Sequence, residues 1–155
     1  MKPTAAAPTS DRLQTRILGM WHLESRIDRD AGGQRRIDPI MGADPLGVLC
    51  FSSDHFSAQF MRRDRTGSAE TAPARAGANN SSAVNGYDAY FGSYTLDEAS
   101  GLLRTRLEGA ITPANVGAVF ERRIAVEGGK LTITLATTAA DGTPVTRIQT
   151  WGRVS

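Results

Sequence analysis

The sequence predicts an all-β protein: an antiparallel barrel of about eight strands with a short N-terminal helix. The first reason is a succession of strand-like segments separated by turn signals, with almost no long helical period between them. The second is the placing of the two tryptophans, Trp21 and Trp151, at opposite ends of the chain, each in a strand beside a glycine and near an arginine. A barrel that pairs its first and last strands brings two such segments together and leaves no free edge. Glycine there lets the backbone pass close beneath a neighbouring layer, and a tryptophan plugs the closed end. Trp21 is therefore expected at the barrel base, buried, with Arg153 or Arg147 against its ring. The third is length: 155 residues suit one domain with a real core or an enclosed cavity.

Taken in order, residues 1 to 9 read as a disordered tail rich in Ala, Pro and Thr. Ser10 or Asp11 caps a short helix to about Leu18, with Leu13 and Ile17 on one face at i, i+4. A strand runs from Met20 to Asp28, then Asp30-Ala31-Gly32-Gly33 turns the chain. Arg35 to Ile40 reads as a second strand, stopped by Pro39 and by Gly42-Ala43-Asp44-Pro45. Gly47 to Ser52 and Phe56 to Arg62 form a hairpin over Ser53-Asp54. Residues 63 to 82 contain no apolar side chain larger than alanine, and a loop of that length is either a lid over the open mouth or an idle insertion. Ala83 to Phe91 reads as a helical turn ending at Gly92. Strands follow at Ser93 to Asp97, Leu102 to Ile111, Val116 to Glu127 and Lys130 to Thr137. Their turns are residues 97–101, Gly128-Gly129 and Asp141-Gly142, and Thr143 to Val154 completes the set.

Composition removes several function classes. Eighteen basic residues face sixteen acidic ones and are scattered, so a pI near 9.0 reflects a small surplus rather than a nucleic-acid patch. The lone Cys50 allows neither an internal disulfide nor a thiolate zinc cluster, and it reads as a buried, inert thiol. No apolar leader or membrane-length run is visible, which makes a cytoplasmic location the expectation. There is no phosphate-binding glycine loop and no nucleophile elbow. His22 and His55 lack a third ligand at metal spacing, so neither a metal nor an organic cofactor is expected.

Strand alternation sorts the rest. Phe56, Ala58 and Phe60 oppose Ser57, Gln59 and Met61; Leu103, Thr105 and Leu107 oppose Arg104, Arg106 and Glu108. Phe120, Arg122 and Ile124 oppose Val119, Glu121 and Arg123, while Arg147, Gln149, Trp151 and Arg153 share one side of the last strand. Which of these faces turns inward is left open by the pattern alone. The Gly19-Met20-Trp21 opening, Pro45-Leu46-Gly47, the run Ser57 to Arg62, the run Ala89 to Tyr94 and Glu108-Gly109 together resemble the bacterial and fungal lipocalin-like domain family, a calycin-type barrel, over residues 10 to 155.

That resemblance implies an interior position for Gln59, Tyr90, Tyr94 and Glu108. Glu108, Tyr94 and Arg106 are the candidate catalytic residues, since an interior Tyr or Glu moves a proton and an Arg holds an oxyanion. Gln59, Met61, Tyr90, Asn115, Phe120 and Arg122 are the candidate ligand-binding residues. In the segment Pro113-Ala114-Asn115-Val116-Gly117 the chain departs from the family pattern, lacking its aromatic after the proline. A reshaped pocket is the implication. The expected ligand is a small apolar or aromatic molecule, such as an oxygenated aromatic, polyketide or terpenoid. Two readings follow: a cofactor-free isomerase, cyclase or lyase of secondary metabolism, or a binding or carrier protein without turnover. Neither nucleic acid nor membrane is an expected partner, and a homo-oligomer stays open.

Overall fold

A run of apolar residues at every second position can bury one side of a strand only if the sheet curls around that side. The computed structural model, which describes residues 12–65 and 85–154, shows this closure. A single helical turn, α1 (Leu13–Arg16), leads into β1 (Gly19–Arg29) and a two-residue β2 (Arg35–Arg36). Then follow β3 (Leu46–Phe51), β4 (His55–Met61), β5 (Tyr87–Asp97), β6 (Leu102–Ala110), a 3-10 turn (Pro113–Asn115), β7 (Val119–Glu127), β8 (Lys130–Thr138) and β9 (Pro144–Arg153). All pairings are antiparallel. From β3 to β9 each strand pairs with the next, and β9 returns to β1 along Trp21↔Arg153 to Arg29↔Thr146. The other side of β1 is shared between β3 at its start and β2 at its end, so eight strands close the barrel and β2 is an appendage.

The expected barrel closure is therefore present. Trp21 has no exposed surface, its Nε1 donates to the Ile17 carbonyl at 2.9 Å, and the Arg153 guanidinium lies 4.2 Å from its ring centroid. Arg153 also donates to the carbonyls of Leu18 and Arg16, which ties the α1 segment over the barrel base. Tight turns serve the hairpins at that end. Gly101 has φ +71°, and a Cβ there would stand 2.6 Å from the Ile124 carbonyl oxygen, so both conformation and space demand glycine.

Three local expectations need correction. Residues 85–91 contain no helical turn: Tyr87 begins β5, because the alternation of Asp88, Tyr90, Gly92 and Tyr94 toward the interior is satisfied by pairing with β4. The second strand stops at Arg36, and residues 38–42 form a turn in which Asp38 accepts from the Ile40 and Gly42 amides while Met41 is buried. Cys50 pairs with Met20 on the outer face and is half-buried rather than in the core. The predicted tail and nearly all of the predicted lid lie outside the described residues. Among the described residues no helix is long and apolar enough to cross a membrane.

Candidate functional site

The interior divides into an apolar base and a polar mouth. Phe51, Phe56, Phe60, Leu103, Leu107, Ile133 and Trp151 are buried side chains contributed by alternate positions of five strands. Between them lies a cleft lined by Leu49, Phe51, Phe56, Ala58, Phe60, Tyr90, Leu103, Thr105, Arg122, Ile133, Gln149 and Trp151. It holds about 390 Å³ of space free of atoms, solvent at its opening included. Its aromatic wall is connected: Phe60 meets Trp151 edge-on at 5.5 Å and lies over Tyr90 at 6.3 Å, and Phe56 approaches Tyr90 at 6.0 Å.

Four polar side chains line this cleft. Gln149 accepts from the Trp151 indole at 3.3 Å, and the Thr105 hydroxyl leans on the Phe120 carbonyl at 3.5 Å. Burial pushes the Tyr90 phenol up to about 12, against the opposing pull of Arg122, so Tyr90 is a neutral donor across the physiological range. Burial also lowers the Arg122 guanidinium from its ordinary value, and the neighbouring charge of Arg147 lowers it further. Arg122 stacks over Phe120 at 4.9 Å and donates to the Glu121 carbonyl at 3.1 Å.

Above the cleft sits a buried ion network. Arg147 grips Asp28 through two bonds, 2.7 Å from Nε and 2.9 Å from Nη2, with side-chain exposures of 2% and 4%. Arg26 pairs with Asp38 at 3.0 Å, and Arg147 also reaches Asp38 at 3.8 Å. Arg26 Nε is buried with no hydrogen-bond partner among the described residues. Burial, then the Arg147 charge, brings the Arg26 guanidinium down to about 10. Such pairs hold geometry more than they add stability, because desolvation offsets most of their attraction.

The expected convergence of site residues is only partly realised. Tyr90, Phe120 and Arg122 do meet at the interior. Glu108 and Arg106 do not: both are exposed on the outer wall of β6, because Leu103, Thr105 and Leu107 take the inner face. Glu108 pairs with His55 at 3.3 Å instead of with Arg106. Gln59 is on the outer face of β4, where its side-chain carbonyl accepts from the Tyr87 hydroxyl at 3.0 Å, and Met61 ends the same face half-buried. Tyr94 is buried, but at the closed end: its hydroxyl donates to the Ser52 carbonyl and accepts from Gln14 at 2.9 Å. Asn115 is buried in the 3-10 turn between β6 and β7, outside the cleft lining.

Residues absent from the sequence-derived list are Thr105, Gln149 and Trp151 in the cleft, and Arg26, Asp28, Asp38 and Arg147 above it. The signal for Arg147, Gln149 and Trp151 was their shared side of the last strand. Arg26 and Asp28 gave none, because a β-bulge between Leu23 and Ser25 reverses the inward phase of β1.

Comparison with curated proteins returns no match. The family model for the lipocalin-like domain matches residues 18–154, from the first barrel strand to the end of the last. With most of its length matched and an eight-stranded antiparallel barrel closed by β1 and β9, the chain belongs to the lipocalin-like domain family.

Proposed function

We propose that the barrel binds a small molecule with a largely apolar, aromatic-sized body, its polar substituent meeting Tyr90, Thr105, Arg122 and Gln149. The carrying observation is the combination of an aromatic wall with a few convergent donors inside a closed barrel, the ordinary make-up of a small-molecule site. Of the two roles considered, binding without turnover has the better support. The described cleft lining offers hydrogen-bond donors but no carboxylate or imidazole to abstract a proton, and Glu108, the expected base, faces outward. Cofactor-free isomerase, cyclase or lyase chemistry on an apolar metabolite would have to rely on Tyr90 and Arg122 as proton donor and oxyanion holder.

The test uses Trp151, which lines the cleft, as its reporter. A naphthalene probe should quench tryptophan emission saturably and raise the melting temperature with concentration. Ala58→Phe, which fills the cleft from β4, should abolish both effects in a variant whose circular dichroism is unchanged. Absence of quenching by neutral and anionic naphthalenes alike would reject the reading.

A further inference from the structure

Three guanidinium groups share the polar half of the barrel interior, and they are not equivalent. Arg147 is neutralised by the bidentate Asp28, and Arg26 by Asp38. Arg122 has no carboxylate within ion-pair distance among the described residues; its contacts are the Glu121 carbonyl and the face of Phe120. Yet it lines the same cleft as Phe60, Tyr90 and Trp151. Asp88, the other buried carboxylate at the mouth, acts on Tyr90 and forms no ion pair with Arg122. Arg122 is half-buried, and an arginine partly withdrawn from water without a counter-charge carries a desolvation penalty that an entering anion would relieve.

We infer that the ligand presents an anionic oxygen group, a carboxylate or an ionised enol or phenol, to Arg122 inside the cleft. The inference rests on the small-molecule reading above and adds the charge of the ligand's head. The apolar body then lies along Phe56, Phe60 and Trp151, with the head toward the mouth. The planar guanidinium suits a bidentate oxyanion, and the aromatic surroundings strengthen that pairing relative to water. Arg26 and Arg147, already held by aspartates, set the field around the head but are not free to turn toward it.

The experiment compares 2-naphthoate with 2-naphthamide, which share shape and differ in charge, by tryptophan quenching at pH 7. Wild-type protein should bind the acid at least about tenfold more tightly than the amide. This preference should survive about 0.5 M salt, since a buried pair is weakly screened whereas general attraction to a basic surface is not. Arg122→Gln, or Arg122→Met should the first variant fail to fold, should bring the two probes within about twofold, chiefly by weakening the acid. Amide binding with no preference for the acid, or a preference that persists in both variants, would overturn the anionic head and leave the small-molecule reading standing. Failure of both probes to bind would reject that reading and this inference with it.

Discussion

His55 shows how a charged residue can be drawn away from the interior by a better partner outside. Its Nδ1 lies 2.8 Å from Asp54 and its Nε2 3.3 Å from Glu108, with the His55 and Glu108 side chains about half exposed, at 53% and 48%. The Asp54 hydrogen bond above all, with a smaller contribution from Glu108, raises the imidazole above its ordinary value near 6.5. A raised folded value means that the protonated form is favoured by folding. Its stabilising contribution is full below the unfolded value and is lost as pH rises through the folded one. In an NMR titration, Asp54→Asn should therefore lower the His55 pKa more than Glu108→Gln, and both should lower it. A larger effect from Glu108→Gln would mean that the cross-strand pair, not the adjacent aspartate, holds the proton. Arg122 is the opposite case, a half-buried charge on the cleft with no carboxylate at ion-pair distance among the described residues, and the difference between them lies in what their neighbours provide.

Among the elements, two bulges decide which residues see the cleft. In β1 the extra residue Glu24 lets Trp21 and Leu23 face inward and then Arg26 and Asp28 after them, where unbroken alternation would have chosen Ser25 and Ile27. In the β5–β6 pair the register shifts between Phe91 and Gly92, leaving Glu108 opposite no residue, while the Phe91 ring lies across Gly109. A Cβ on Gly92 would stand 1.8 Å from the Arg106 carbonyl oxygen, and backbone cannot yield as a side-chain tip would. Gly92→Ala should accordingly cost about 3 kcal/mol, the upper end of ordinary overpacking, and chemical denaturation followed by circular dichroism measures it. A loss under about 1 kcal/mol would mean that the two strands separate freely at this point. The alternating strands β4, β7 and β9, and β6 as far as Leu107, were legible in the sequence because each keeps period two over that stretch. The inward face of β1 was not, since one inserted residue changes every later position without leaving a mark in composition.

At the scale of the whole molecule, β1 and β9 form the seam that turns a sheet into a barrel, and it is clamped at both ends. Arg153 stacks on Trp21 at the base; Asp28 and Arg147, register partners, bind each other at the mouth. The two clamps differ in their surroundings, one exposed on its arginine and the other buried. Arg153→Ala should destabilise by about 1–3 kcal/mol through the lost cation–π contact and backbone hydrogen bonds. Asp28→Asn should cost more, about 3–5 kcal/mol, because it leaves the buried Arg147 and Arg26 to share Asp38 alone. Urea unfolding monitored by tryptophan emission gives both values. Equal costs would show that water reaches Arg147 once its partner is removed.

The sequence by itself determined the barrel, its antiparallel order after residue 93 and the burial of Trp21 against an arginine of the last strand, of which the structure selects Arg153 over Arg147. These follow from local patterns: period-two alternation, glycine at the turns, and the need of a first and last strand to cover each other's edges. Only the tertiary structure decided which polar residues face the ligand. Glu108 was assigned inward by likeness to a family, but β6 buries its leucines, and a histidine at the start of β4, across the intervening β5, pairs with the carboxylate outside. Arg26 and Asp28 entered the interior through a bulge, and Asp38 joined them from a turn ten residues on. Arg122 stands apart among the interior arginines because Asp28 and Asp38 are held by the other two. Counter-charge is a property of three-dimensional neighbours, and no spacing along one strand records it.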